Sequence, residues 1–343
     1  MSRPALPDFT GLAVAVLGDL VADHYLHAEP TRLSREAPVM VLRHRAEQLG
    51  AGGAANVARN LAALGARVSV FGAVGRDRSG RELVRLLEDE VIDCAGVRSE
   101  VGWTTPTKTR VLAAEARRFP QQVLRIDREP EAGLDAAVAA GLAEELRGRA
   151  SEFDALLLSD YDYGLVGPAL LPAVRAFDRR ERVVVLDPRQ QLGGLGPLRA
   201  VTPNVGELAR FTGRSEAELD EPSALRAAAR ELQGRHELAY LLVTRGNLGM
   251  ALFGPELEPA GVAVPASGEG EVTDVSGAGD TAAAVFALAL AGGVDPVGAM
   301  RLANAAAGVV VMENGTAVCT RAELEGALVT SPPAARLSAG PRS

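Results

Sequence analysis

The sequence lacks the features that mark membrane and secreted proteins. It has no run of about eighteen apolar residues, the length that crosses a bilayer as a helix. The first apolar stretch, residues 12–17, is too short for the core of a signal peptide. The two cysteines, Cys94 and Cys319, have no CxxC or Cys/His spacing around them, so neither a disulfide framework nor a zinc site is indicated. We therefore expect a cytoplasmic protein with no membrane partner.

Cationic and nucleotide-binding motifs are also scarce. The chain has 36 Lys and Arg against 44 Asp and Glu, and its formal net charge of −8 disfavours a nucleic-acid partner. Lys108 is its only lysine and no Gly-Lys pair occurs, so a Walker A loop is excluded. No G-x-G-x-x-G follows the first apolar run, which argues against a NAD-binding Rossmann domain.

What the sequence does contain is an alternation of short apolar runs with Ala/Leu/Arg stretches of helical period. Strands are predicted at residues 12–17, 68–71, 156–158, 183–186 and 240–244. A helix is predicted over residues 54–64, ended by Gly65. This alternation predicts an α/β fold with a doubly wound, mostly parallel sheet covered by helices on both faces.

Two segments break this alternation. Residues 23–49 and 101–127 interchange apolar and polar residues over short lengths, which predicts a small separate sheet that forms a lid. Residues 331–343 are rich in Pro, Ala, Ser and Arg, and we expect them to form a mobile tail. The chain is therefore interpreted as one domain over residues 1–330.

The most informative segment is a glycine turn, residues 274–280, with the sequence DVSGAGD. Gly277, Ala278 and Gly279 leave backbone N–H groups uncovered at the start of an apolar helix, where the helix dipole favours an anion such as phosphate. Asp280 then lies in the first helical turn, and a carboxylate there suits a base that accepts a hydroxyl proton during phosphoryl transfer. The alternative is a tight turn whose aspartates only cap the helix.

Two motifs together resemble the signatures of ribokinase-like (phosphofructokinase B type) carbohydrate kinases. Residues 274–280 resemble the second signature, residues 52–58 (GGAANVA) resemble the first, and the resemblance covers about residues 10–328. It implies an ATP-dependent sugar kinase. The residues that it assigns to the site are the base Asp280, the anion hole Gly277, Ala278 and Gly279, and the sugar-binding Gly52, Gly53 and Asn56.

Two further elements are candidates for cation binding. Asn204 and Glu207 form an amide and a carboxylate three positions apart, which can hold hydrated Mg²⁺ because this ion keeps several of its waters. The pair is similar to the family's Asn-x-x-Glu element, and an ordinary capped loop is the alternative. Asp274 stands where several family members place a monovalent cation such as K⁺ beside the anion hole. A helix-capping role for Asp274 is equally open.

The resemblance also assigns four residues to the nucleotide. Thr244 ends a predicted strand at the carboxyl edge, where doubly wound sheets bind ligands, and Gly246 and Gly249 follow it. Thr244 and Gly246 resemble the family's phosphate and ribose contacts, although residues 250–253 could also pair back as a hairpin. Asn304 begins a helical stretch of small residues, which permits the close approach of an adenine ring or ordinary helix packing.

The sugar side is predicted from charged residues. Asp19 and Asp23 follow the first strand, and carboxylates suit sugar hydroxyls because each accepts two directional hydrogen bonds. Asp23 matches the family's sugar ligand, and Asp19 and Asp127 are further candidates. Lys108 and Arg110 alternate on a predicted strand and therefore share one face, which suits an anionic substrate or is a solvated face.

Within the family, the sequence most resembles the heptose-7-phosphate kinases, through residues 31–39, 107–110, 159–161 and 304–311. This resemblance implies that the anomeric hydroxyl of D-glycero-D-manno-heptose 7-phosphate is phosphorylated, and a homodimer through the lid is expected. Tyr163 stands where that branch has a lysine, so fructose, ribose, a deoxygluconate or an unphosphorylated heptose stay open as substrates.

The HxGH motif of bifunctional members is absent, so we expect the kinase step alone. A non-catalytic sugar or nucleotide sensor is the alternative of another class, and Asp280 argues against it.

Overall fold

The computed structural model describes residues 6–114, 120–177, 182–190, 192–196, 198–257, 259–268 and 273–337. The strands in these ranges are β1 (Ala13–Gly18), β2 (Leu20–Leu33), β3 (Met40–Gly53), β4 (Arg67–Gly75), β5 (Asp93–Glu100), β6 (Thr107–Ala113), β7 (Gln121–Arg128), β8 (Ala155–Ser159), β9 (Val183–Asp187), β10 (Ala200–Val201), β11 (Tyr240–Thr244), β12 (Met250–Phe253), β13 (Val262–Val264) and β14 (Ala335–Arg336). The α-helices are α1 (Ala54–Ala63), α2 (Arg78–Asp89), α3 (Ala136–Arg149), α4 (Leu171–Ala176), α5 (Val205–Thr212), α6 (Glu216–Leu219), α7 (Pro222–His236), α8 (Ala278–Ala291), α9 (Pro296–Val310) and α10 (Arg321–Thr330).

A large sheet with helices on both faces forms the body of the protein. Its strand order is β14-β13-β12-β11-β10-β9-β8-β1-β4-β5, and each neighbouring pair from β11 to β5 is parallel. Side chains of β1 alternate between two apolar cores. Val14 and Val16 pack in the core formed with α1, α2, α8, α9 and α10. Ala15 and Leu17 pack in the core formed with α3 to α7. The predicted doubly wound fold is thus confirmed.

The local predictions agree with this sheet. All five predicted strands are present, as β1, β4, β8, β9 and β11. Helix α1 starts directly after Gly53 and ends ahead of Gly65, whose φ of +98° is a backbone conformation that glycine adopts without strain. No helix in the described ranges combines the length and apolar character that a membrane span needs.

One edge of the large sheet differs from the prediction. Strands β12, β13 and β14 join β11 in antiparallel pairs, so the sheet is mixed rather than parallel at this edge. The tail was expected to be mobile from residue 331, but β14 pairs with β13 and Leu337 is buried in the core under the sheet. An apolar side chain with a place in the core and a free strand edge account for this packing. Residues 338–343 of the tail lie outside the described residues.

A smaller separate sheet stands apart from the large one, as predicted. Its order is β3-β2-β6-β7, in which β2 and β6 are parallel and the other pairs are antiparallel. Asp23 is in register with Lys108, and Lys108 is in register with Asp127. Because residues in register share a face, these three side chains and that of Arg110, two positions beyond Lys108, lie on one face of the small sheet.

Candidate active site

The carboxyl edge of the large sheet gathers the polar residues of the site. Asp19 follows β1, Tyr161 follows β8, and Asp187 ends β9. Asn204 follows β10, and Thr244 ends β11. Since ligands of doubly wound sheets bind outside the carboxyl ends of the strands, these five residues mark the edge where a ligand is expected.

The glycine turn before α8 forms an open helix N-terminus beside this edge, since Asp280 of α8 contacts Tyr161 after β8. Gly277 is the N-cap with φ +79°, and a Cβ at this position would lie 2.5 Å from Nδ2 of Asn56. A Cβ on Gly279 would meet no heavy atom within 4 Å, so the space in front of the turn is open. In the described part of the chain no side chain caps α8. The turn therefore offers backbone N–H groups and the positive end of the helix dipole to an anion.

Asp280 lies in the first turn of α8 and is almost completely buried, with 3% exposure. Nδ2 of Asn56 donates a hydrogen bond to its Oδ2 at 2.9 Å, and the hydroxyl of Tyr161 donates to its Oδ1 at 2.8 Å. Burial raises the pKa of Asp280 to about 6, and the hydrogen bonds from Asn56 and Tyr161 oppose that rise. A carboxylate with such a pKa is ionised at neutral pH and basic enough to accept a hydroxyl proton.

The small sheet places its charged face against this carboxylate. Arg110 forms a buried ion pair with Asp23, and its guanidinium lies 5.4 Å from the ring centroid of Tyr25. The ammonium of Lys108 lies over the ring of Tyr161, 5.2 Å from its centroid. The two cations thus share a face as predicted, but Arg110 is neutralised by Asp23, and Lys108 lies over the ring whose hydroxyl contacts Asp280.

The remaining candidates of the sugar side have different surroundings. Oδ2 of Asp19 accepts hydrogen bonds from the N–H groups of Tyr161 at 2.8 Å and Tyr163 at 3.1 Å, so this carboxylate braces the loop after β8. Burial raises its pKa to about 6. Asp127 lies on an exposed strand and accepts two hydrogen bonds from Arg125, at 2.8 and 2.9 Å. Its side chain is the most exposed of the sugar-side candidates.

The two glycines of the first motif bring the backbone close to these carboxylates. A Cβ on Gly52 would lie 2.6 Å from Oδ2 of Asp23. Gly53 has φ +57°, and a Cβ there would lie 2.5 Å from the carbonyl oxygen of Asp19. Larger residues at either position would displace the predicted sugar ligand or the turn that leads into α1.

On the nucleotide side, Asn204 and Glu207 form a capping box at the start of α5. Oδ1 of Asn204 accepts from the N–H of Glu207 at 2.9 Å, and Oε2 of Glu207 accepts from the N–H of Asn204 at 2.8 Å. Oε1 of Glu207 lies 3.5 Å from Nη1 of Arg189. Burial raises the pKa of Glu207. One carboxylate oxygen thus belongs to the cap and the other faces the guanidinium of Arg189, so a Mg²⁺ held here through water would share that second oxygen with Arg189.

Two predicted nucleotide segments also have structural roles. Strands β11 and β12 pair as a hairpin around Gly246 and Gly249, and a Cβ on Gly249 would lie 2.1 Å from the carbonyl oxygen of Val264. Asn304 is buried, and its Nδ2 donates to the carbonyl oxygen of Pro265 at 2.9 Å and to Oγ of Ser267 at 2.7 Å. A Cβ on Gly308 would lie 2.5 Å from the carbonyl oxygen of Ser267, so this small-residue stretch packs against the loop that follows β13.

Asp274 joins the glycine turn to the loop after α9. Its Oδ1 accepts from the N–H of Ser276 at 2.8 Å, and its Oδ2 accepts from the N–H of Gly315 at 3.1 Å. In residues 6–337, the masked gaps excepted, no three His, Cys, Asp or Glu side chains are grouped as a metal site. Asp274 thus has two backbone partners in the loops, and within residues 273–337 it makes no capping hydrogen bond to α8.

Two residues of the site were not singled out by the sequence. Tyr161 contacts the carboxylate of Asp280, and its signal in the sequence is its place in residues 159–161, which resemble the heptose-7-phosphate kinases. Asp187 accepts from Oγ1 of Thr202 at 2.7 Å, and burial, followed by the charge of Asp280, raises its pKa well above the usual range. Its signal in the sequence is its place directly after a predicted buried strand, the same position that drew attention to Asp19.

The chain is similar in sequence to known carbohydrate kinases and to a longer bacterial protein. The model of the pfkB family carbohydrate kinases matches residues 12–159 and 170–323. A protein of Mesorhizobium japonicum named "Bifunctional protein HldE" is 40% identical over 329 residues, which are 95% of this chain and 64% of that protein. The chain thus spans less than two thirds of the length of this relative.

Solved structures share the fold at lower identity. Phosphofructokinase-2 from Escherichia coli, solved in complex with substrates and products, is 22% identical with a TM-score of 0.74 and covers 93% of this chain and 99% of its own. Arabidopsis thaliana ribokinase, solved with ribose and ATP, is 22% identical with a TM-score of 0.66 and covers 92% of this chain and 98% of its own. These likenesses show the ribokinase-like arrangement of one large and one small sheet.

Proposed function

Because this chain belongs to the pfkB family of carbohydrate kinases, phosphotransferases that use ATP on a sugar hydroxyl, we propose that its acceptor is the anomeric hydroxyl of D-glycero-D-manno-heptose 7-phosphate. The support for this sugar is the resemblance of residues 31–39 and 107–110 to heptose-7-phosphate kinases, together with the identity to HldE. The proposal concerns the kinase reaction alone.

The observation that carries the proposed chemistry is the position of Asp280. Its carboxylate is held by Asn56 and Tyr161 beside the open N-terminus of α8. In the proposed reaction, an oxygen of Asp280 accepts the proton of the sugar hydroxyl while that hydroxyl oxygen attacks the γ-phosphorus of ATP. The bond from phosphorus to the ADP oxygen breaks, and the N–H groups after Gly277 stabilise the charge on the phosphoryl oxygens.

The nucleotide would lie along the carboxyl ends of β9, β10 and β11, near Thr244 and Gly246. Glu207, through water, would hold the Mg²⁺ that neutralises phosphate charge when it is bound. The carboxylate of Asp274 is the proposed neighbour of a K⁺ ion. Neither cation changes the part played by Asp280, which is to hold and move the proton.

The sugar would be held by the face of the small sheet and by the first motif. Asp23 and Asn56 are the proposed hydroxyl ligands, with Gly52 and Gly53 allowing the close approach of the backbone. The ion pair with Arg110 fixes the carboxylate of Asp23, so its free lone pairs have a defined direction.

One observation favours an unphosphorylated sugar as the alternative acceptor. Tyr163 stands where the heptose-7-phosphate kinases have a lysine, and its hydroxyl donates to Oε1 of Glu129 at 3.0 Å. A phenol beside a carboxylate is a poor partner for a phosphate dianion. Arg125 is likewise occupied by Asp127.

A panel of sugars decides between these acceptors. ADP release would be measured with purified enzyme, ATP and Mg²⁺ on D-glycero-D-manno-heptose 7-phosphate, the same heptose without phosphate, fructose, ribose and a deoxygluconate. We expect the highest kcat/KM for heptose 7-phosphate. A higher kcat/KM for the unphosphorylated heptose would show that the acceptor is a heptose without the 7-phosphate. A preference for another sugar would reject both heptoses as the acceptor, and the chain would still be a carbohydrate kinase of this family.

The small sheet is also the proposed surface for a homodimer. Leu33, Met40, Val123, Leu124 and Ile126 lie on its strands, and each of these side chains is more than half exposed. Exposed apolar side chains at both edges of a small sheet are typical of a protein interface. We therefore propose that two copies of the chain meet through this sheet.

A further inference from the structure

Tyr161 and Tyr163 lie in the same loop and share a backbone role, but their hydroxyls have different partners. The N–H groups of both residues donate to Oδ2 of Asp19. The hydroxyl of Tyr161 donates to Oδ1 of Asp280 at 2.8 Å, whereas the hydroxyl of Tyr163 donates to Oε1 of Glu129 at 3.0 Å. The two residues are therefore of the same type and have the same backbone partner. Of their two hydroxyls, only that of Tyr161 contacts the proposed base.

We propose that Tyr161 is a positioning residue, whose hydroxyl orients the carboxylate of Asp280 toward the acceptor and keeps it ionised. The inference rests on the proposed function, because it assigns a task to a neighbour of the proposed base. Tyr161 acts through Asp280 and has no proton-transfer step of its own.

The hydrogen-bond pattern at Asp280 supports this role. A carboxylate that rotates freely presents either oxygen to the substrate in many orientations. Here Asn56 fixes Oδ2 and Tyr161 fixes Oδ1, so the plane of the carboxylate is set and one lone pair on each oxygen stays free. A phenol hydroxyl has a single proton to donate, and the hydroxyl of Tyr161 donates it to the carboxylate of Asp280.

The charges around Asp280 come from several elements. Asp23 on β2 raises the pKa of Asp280 and Lys108 on β6 lowers it. Asp187 on β9 also interacts with Asp280 by charge. Burial and the neighbouring carboxylates raise the pKa of Tyr161 well above its usual range, so its hydroxyl stays protonated and remains a donor throughout the working pH range.

The ring of Tyr161 has a separate contact, and this separation makes the hydroxyl testable by itself. The ammonium of Lys108 lies over the ring face, which does not involve the hydroxyl oxygen. Tyr161→Phe keeps the ring, its packing and the cation–π contact, and removes only the hydrogen bond to Asp280. Tyr163→Phe removes the equivalent hydroxyl from the neighbouring position and serves as the matched control.

The first test is the pH dependence of kcat/KM for the sugar. Because the hydrogen bond favours the ionised carboxylate, its loss raises the pKa of Asp280. In Tyr161→Phe the acid limb should move upward by roughly one pH unit and kcat should fall about ten-fold, with the KM for ATP unchanged. In Tyr163→Phe the acid limb should stay where it is in the wild type. An acid limb and a kcat that match the wild type in Tyr161→Phe would overturn the proposal.

Two further measurements separate a positioning role from a general loss of structure. In a double-mutant cycle, Tyr161→Phe should lower kcat in the wild type but have no further effect in an Asp280→Asn background, because its target is gone. Equal effects in both backgrounds would overturn the proposal. A ¹³C-carboxyl NMR titration of Asp280 needs no substrate. A higher pKa in Tyr161→Phe supports the inference even if the sugar panel rejects the proposed acceptor, and an unchanged pKa rejects it whatever the acceptor is.

Discussion

Nδ2 of Asn56 donates a hydrogen bond to Oδ2 of Asp280 at 2.9 Å across 224 positions of sequence. This contact joins the first turn of α1 to the first turn of α8. The two glycine motifs that the sequence presents separately therefore meet in one site. The amide proposed for sugar binding and the carboxylate proposed as the base are fixed to each other, so a bound hydroxyl would be placed relative to both.

The pKa of Asp280 predicts the pH dependence of the reaction. Its folded-state pKa is raised to about 6, chiefly by burial, and the base works only when ionised. The value of kcat/KM should therefore rise about ten-fold per pH unit below pH 6 and level off above it. The measurement holds the concentrations of the dianionic substrate phosphates constant, since these groups titrate nearby. A profile that stays flat down to about pH 4.5 would contradict the assignment.

Glu207 provides a test of the metal. Glu207→Gln keeps an oxygen that can accept from the N–H of Asn204, so the start of α5 should be preserved while the carboxylate charge is lost. We expect a higher Mg²⁺ concentration at half-maximal rate. Glu323→Gln is the matched control, because Glu323 forms the same capping box with Thr320 at the start of α10. Equal Mg²⁺ titrations for the two variants would leave Glu207 with a capping role alone.

Lys108 is expected to act at the reacting end of the sugar. Its ammonium lies over Tyr161, whose hydroxyl contacts the base, and Arg110 is already neutralised by Asp23. Lys108→Met should lower kcat about ten-fold for phosphorylated and unphosphorylated heptose alike, in line with the loss of one charge-assisted contact. Lys108→Arg should restore part of this activity. A rise in KM confined to the phosphorylated sugar would instead place Lys108 at the distal phosphate.

These residues also show what the sequence could and could not predict. The strand before Asp19 and the strands that end at Asp187 and Thr244 are local apolar runs, so the sequence predicts their positions. Gly277 likewise indicates the start of α8. Strands β10 and β14 have two residues each and give no such signal.

Contacts between distant segments could not be predicted from the sequence in the same way. The ion pair of Arg110 with Asp23 depends on the register of β2 against β6, and the contact of Tyr161 with Asp280 depends on the path of a loop. Neither property is encoded in a local pattern. The sequence therefore predicted a shared cationic face, while the neutralisation of one of its cations needed the structure.

The proposed dimer gives a prediction about the small sheet. Ile126→Glu places a charge among the exposed apolar side chains of this sheet, and we expect it to convert a dimer into a monomer. Light scattering after size-exclusion chromatography at micromolar protein measures the change. Val329→Glu, at a similarly exposed position on α10, should remain a dimer. A monomeric wild type would reject the interface.

The most direct test of the account is the turnover of Asp280→Asn. This substitution keeps the size of the side chain and removes its ability to accept the proton, so kcat should fall by at least about 10²-fold while the Kd for ATP is unchanged. Asp295→Asn, at the N-cap of α9, is the matched control and should keep the wild-type kcat because asparagine caps helices equally well. Near-normal turnover in Asp280→Asn would contradict the claim that Asp280 is the base of the phosphoryl transfer.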